Sequence, residues 1–148
     1  MIRIVLDTNV FVSSFFGGNP RKLISLWEAG EVSLCLSKPI IDEYVEVLQG
    51  LGLQDEKQLG ELLGLFATGI HVIFTARTPG LSVVADDPDD DKFIECGVAL
   101  KADYIVSGDK ALLAVENYMG IGVFNPKKIL AIYKRKRANK ANTTRKHA

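Results

Sequence analysis

The chain has 148 residues, 47% hydrophobic and 24% charged, which is the composition of one globular domain with a sizeable core. Its apolar runs are of strand length, which excludes a transmembrane span, and MIRIVLDTN meets an acid at Asp7 too early for a secretory signal. A net charge of zero conceals an asymmetry: Lys134–Ala148 holds seven Lys/Arg and no acid, leaving 11 basic against 18 acidic residues before it, a net of −7.

In chain order, Ile2–Leu6 is a β-branched run that predicts a strand buried on both faces. Asp7-Thr8-Asn9 can open a helix through Val10–Phe16. Gly17-Gly18-Asn19-Pro20 reads as a break before a helix over Arg21–Ala29, with Leu23, Ile24, Leu26 and Trp27 as its apolar stripe and Gly30 closing it. Glu31–Leu36 is a second strand. Ser37 caps a helix running to about Gln49, with Pro39 tolerated in its first turn. A helix over Leu59–Phe66 follows, then a short strand over Ile70–Phe74 and a loop at Thr78-Pro79-Gly80.

A further helical segment begins among the carboxylates of Asp86, Asp87, Asp89, Asp90 and Asp91, wrapped around Pro88. After it come a buried strand at Tyr104–Val106, a short helix Lys110–Val115, a strand at Val123-Phe124, and a last helix from Pro126 to about Tyr133. Strands alternating with helices predict a three-layer α/β/α sandwich around a central, mostly parallel sheet. The domain is expected over residues 1–133, with 134–148 a basic, flexible tail. Cys35 and Cys96 lack metal-ligand spacing and read as buried thiols of a reducing cytoplasm.

Right-handed crossovers put the carboxyl ends of parallel strands on one edge, where ligands bind. Asp7 and Asp109 follow predicted strands, Asp91 opens a helix, and Glu43 sits in an early turn of another. All four are expected to converge on that edge. Carboxylates gathered without His or Arg would repel one another unless a cation joined them. An all-oxygen donor set favours Mg²⁺ or Mn²⁺, which suits metal-assisted hydrolysis of a phosphodiester.

Each residue has a plainer reading beside this one. Asp7 could be a simple N-cap, Glu43 a complement to the helix dipole, and Asp86, Asp87 and Asp89 solvated loop acids. Glu95 lies one turn beyond Asp91 and could help a second metal. Asn9 and Ser107 are expected to orient a carboxylate. His71 reads as structural, and Trp27 and the Phe residues at helical spacing as core. Lys134, Arg135, Lys136 and Arg137 begin either a solvated end or an arm for phosphate backbones.

V-L-D-T-N-V at 5–10, the run from Ser37 to E-Y-V-E-V-L at 43–48, D-D-D-K-F-I-E at 89–95 and A-D-Y-I-V-S-G-D at 102–109 together resemble a PIN domain. The likeness is to PIN-family toxin components of toxin–antitoxin systems, related to the VapC type, and covers about residues 1–133. It implies a five-stranded parallel sheet and a Mg²⁺/Mn²⁺-dependent ribonuclease. Its four acids match Asp7, Glu43, Asp91 and Asp109, with Asp89 and Asp90 as neighbours of the third, and Ser107 matches a frequent hydroxyl. It also implies an RNA substrate, an antitoxin partner and a possible homodimer, with no membrane.

Other classes fit less well. A phosphatase with a nucleophilic Asp7 would want an acid where Asn9 stands, and a phosphoacceptor receiver domain would want its acid pair after the first strand. A PIN-like module that binds RNA without cutting would lack an acid.

Overall fold

The computed structural model describes residues 1–52 and 57–147; Ala148, the end of the expected tail, lies outside them. Six strands form one sheet: β1 (Ile2–Leu6), β2 (Val32–Ser37), β3 (Val72–Thr75), β4 (Tyr104–Val106), β5 (Asn117–Tyr118) and β6 (Ile121–Phe124). Their order is β3-β2-β1-β4-β6-β5, and every pairing is parallel except that of β5 with β6. The strand beyond the expected five is β5, a two-residue edge strand joined to β6 as a hairpin. Met119 and Gly120, both at positive φ, make its turn, and Gly120 N–H donates to Asn117 Oδ1 at 3.1 Å.

The central strand needs residues that are apolar on both sides, and Ile4, Val5 and Leu6 are at most 1% exposed. From β1 the chain moves outward through β2 to β3, then crosses back to place β4 on the other side of β1. The direction of winding therefore reverses between β1 and β4. In an open α/β sheet that reversal leaves a crevice beyond the carboxyl ends of the two strands.

The helices between β1 and β3 are α1 (Thr8–Ser13), a 3₁₀ turn at Ser14–Phe16, α2 (Gly18–Glu28), α3 (Lys38–Gly50) and α4 (Lys57–Thr68). Helix α2 starts earlier than expected because Pro20 lies within its first turn, where a missing N–H costs nothing. Right-handed crossovers put these helices on one face of the sheet. Their aromatic side chains form one cluster: Phe11 stacks on Tyr44 at 4.1 Å between ring centroids, Phe66 meets Phe11 at 5.7 Å, and Trp27 meets Phe66 at 5.3 Å. The Leu59 side chain lies outside the described residues.

The other face is covered by α5 (Asp91–Leu100), which packs across β1 to β4; α6 (Lys110–Leu113) follows β4. The last helix, α7 (Pro126–His147), packs on α2 and β4 and continues past Tyr133 through the expected tail. Its Lys, Arg and Ala residues are good helix formers, which carries the helix on through the charge run. Among the described residues no helix is long and apolar enough to cross a membrane.

Candidate active site

Asp7 follows β1 and caps α1, with Oδ1 accepting the Val10 N–H at 2.8 Å. Its backbone N–H donates to Val106 of β4 at 3.0 Å, which fixes it at the winding reversal. The buried Ser107 hydroxyl donates to Asp7 Oδ2 and accepts the Asp109 N–H at 2.9 Å. One serine thus joins the two acids that end neighbouring strands. Asp7 is 2% exposed, and burial raises its pKa above the ordinary carboxylate value. Hydrogen bonds from Ser107 and Val10 pull it down again, while the Asp109 charge pushes it up.

The third acid is where sequence and structure part. Pro88–Asp90 forms a 3₁₀ turn ahead of α5, and one carboxylate oxygen each from Asp87, Asp90 and Asp109 lie within 4.8 Å of one another. Asp91, the expected ligand, points elsewhere. It is 8% exposed, and its Oδ1 accepts the Val83 and Val84 N–H groups at 2.9 and 2.8 Å. Glu95, one turn on, accepts the Leu81 N–H at 2.8 Å. The two acids clasp the loop 81–84 against α5, so Glu95 is not set to reach a second metal.

Glu43 reaches the cleft, but it has partners of its own. Lys92 Nζ lies 2.8 Å from Glu43 Oε1 and 3.2 Å from Asp89 Oδ1, and the Thr8 hydroxyl donates to Glu43 Oε2. A lysine therefore supplies the cation that His or Arg does not: the Lys92 ammonium offsets one of the two charges of Glu43 and Asp89. Asp89 is exposed and serves as the second anion of that pair. Neighbouring Tyr44 donates its hydroxyl to the Leu6 carbonyl and so anchors α3 to the end of β1.

The result is a cleft of about 210 Å³ lined by Asp7, Thr8, Asn9, Glu43, Asp87, Asp90 and Asp109 among others. Burial pushes Asp90 up to about 7, reinforced by the Asp109 carboxylate beside it and by the charges of Asp87 and Asp7. Such a set fits a hard divalent cation. Three carboxylate oxygens within 4.8 Å of one another are near enough to share one such cation. Neither His nor Cys is present to favour zinc.

Asp87, which reads from sequence as a solvated loop acid, lines the cleft, and Thr8, which reads as a helix opener, and Lys92 both bind Glu43 there. Only Lys92 carried a local signal, a basic residue three positions after Asp89 at a helix start. The four basic residues that begin the expected tail do not act together. Lys134 lies beside α2. Lys136 sits 5.2 Å from the Tyr104 ring centroid, and Arg137 donates to the Tyr133 hydroxyl at 3.3 Å. Arg135 is exposed. His71 supplies its carbonyl to the Trp27 indole at 3.2 Å and to the Leu34 N–H at 2.9 Å.

Fold and cleft define a class: an α/β sandwich with a cluster of aspartates able to hold a cation where its winding reverses. A family comparison matches residues 3–111, more than half of the chain, to the PIN domain, and this chain belongs to that family. PIN domains are in general metal-dependent nucleases. Comparison with curated proteins and with solved structures gave no match.

Proposed function

We propose that this chain is a divalent-metal-dependent endoribonuclease, the toxin of a toxin–antitoxin module, acting in the cytoplasm. The observation that carries the reading is the convergence of Asp7, Asp87, Asp90 and Asp109 at the winding reversal. A bound Mg²⁺ or Mn²⁺ would supply charge neutralisation at a phosphate and a water of lowered pKa. Asp87, Asp90 and Asp109 would hold it. Asp7, fixed by Ser107 and Val10, keeps a carboxylate in place for the same cation or its water. Lys92, held between Glu43 and Asp89, offsets one of the two negative charges on that side of the cleft. RNA, an antitoxin protein and a second copy of the chain are the proposed partners.

The test sets labelled single-stranded RNA, duplex DNA and a phosphomonoester side by side with Mg²⁺, Mn²⁺ or EDTA. Cleavage of RNA alone, and only with metal, is expected. Asp7→Asn and Asp109→Asn should each reduce it by more than about 100-fold, the upper range for supporting residues of metal sites, with the fold kept. Undiminished cleavage in EDTA would end the reading. Toxicity is tested separately, by growth arrest on induction that Asp109→Asn abolishes.

A further inference from the structure

Away from the acidic cleft, α2 and α7 pack together and leave a groove of about 320 Å³. It is lined by Asn19, Lys22, Lys127, Leu130, Ala131 and Lys134, with no acid among them. Lys127, Ala131 and Lys134 are four and then three residues apart, so they share one helical face. The lining is a strip of apolar surface bordered by three ammonium groups.

The position of the groove follows from topology. Lys127 stands in the first turn of α7, directly after β6, and the β6 residue Phe124 accepts the Ser107 N–H at 3.0 Å. Asn19 stands in the first turn of α2, which must run from the same edge back to the start of β2. The groove therefore begins at the edge that carries the acids and descends along α7. Phe16 is 73% exposed and lies three residues before Asn19. Its neighbour Phe15 is turned inward onto Phe11 at 5.5 Å between ring centroids.

A cleft of carboxylates repels every phosphate that no cation covers, so a polyanionic substrate needs positive charge elsewhere. We infer that the α2–α7 groove, with the adjacent Phe16, binds the phosphate backbone of a single-stranded nucleic acid on one side of the cut. This rests on the nuclease reading of the acidic cleft. Lys22, Lys127 and Lys134 supply phosphate contacts, which carry affinity without sequence preference. The phenyl ring of Phe16, in water and three residues before Asn19 of the groove, is a stacking surface for an unpaired base, and a duplex has no base face to offer it.

The experiment titrates a labelled 2′-O-methyl oligouridylate onto the full chain in EDTA across a NaCl series. Replacing Lys22, Lys127 and Lys134 together by Ala should shrink the log–log salt slope by about 2, at ~0.7 per phosphate contact. Phe16→Ala should weaken binding roughly ten-fold with the slope unchanged, because stacking releases no counterions. Lys128→Ala, one position along the same turn, should cost less than Lys127→Ala. An unchanged slope in the triple variant, or equal losses at Lys127 and Lys128, would overturn the groove. So would duplex DNA binding as tightly as the oligouridylate with no dependence on Phe16. Cleavage of RNA with Mn²⁺ is read separately. A parent chain that binds through these lysines yet never cuts ends the nuclease reading alone, whereas one that cuts while the triple variant keeps its slope ends the groove alone.

Discussion

Asp90 and Asp91 are adjacent acids with opposite duties, and their variants should behave oppositely. The carboxyl of Asp90 titrates near 7, far above an unfolded aspartate. A raised carboxyl pKa means that the native state holds the extra proton. The stability this lends is complete below about pH 4 and is lost as pH rises to about 7. Without metal, the melting temperature should therefore fall across that window, and Asp90→Asn should flatten the fall. Mn²⁺ affinity should climb with pH up to about 7 as the proton leaves, and calorimetry in two buffers would register its release. Asp91→Ala should leave that proton release intact and cost about 1–3 kcal/mol, since two backbone N–H groups lose their shared acceptor. If Asp91→Ala instead abolishes Mn²⁺ binding in a protein that still melts like the parent, the assignment of the third acid is wrong.

Among the elements, those with a strong period were legible and those set by a single turn were not. Ile4-Val5-Leu6 and Tyr104–Val106 are continuous apolar runs, and their two following aspartates could be placed from the connection rules alone. The choice between Asp90 and Asp91 hung on Pro88–Asp90 forming a 3₁₀ turn, because one residue of offset turns a helical side chain by about 100°. Asn117–Tyr118 is too short to show any period. The Lys92–Glu43 contact spans 49 positions and has no local signature. Helix α7 divides in the same way. Ile129 is 2% exposed against the core, while residues 134–142 are exposed throughout. Ile129→Ala should cost about 2–5 kcal/mol in urea unfolding, whereas ending the chain after Lys140 should change stability by less than about 0.5 kcal/mol. A large loss on truncation would mean that the end of α7 packs on the domain.

At the scale of the whole molecule, the direction of α7 decides where the charge goes. Tyr133, Lys136, Arg137 and Lys140 line a cavity with Met1, Ile2, Glu31 and Asp103, at the amino ends of the parallel strands. The acids stand at the carboxyl ends of those strands. A helix of 22 residues is about 33 Å long, so its basic end lies far from the cleft. The zero formal charge thus includes an acidic cleft and a basic helix end held at opposite edges of the sheet. Such a particle behaves in solution as a large electric dipole, and identical dipoles attract head to tail. That contact joins unlike surfaces and does not close on itself, so it builds chains of variable length rather than a defined oligomer. At low ionic strength, light scattering should rise with protein concentration. About 0.15 M NaCl, where the screening length is ~8 Å, should suppress the rise. Divalent cations that neutralise the acidic pole should suppress it at far lower ionic strength than NaCl does. Scattering indifferent to both would show that the poles are too diffuse to attract.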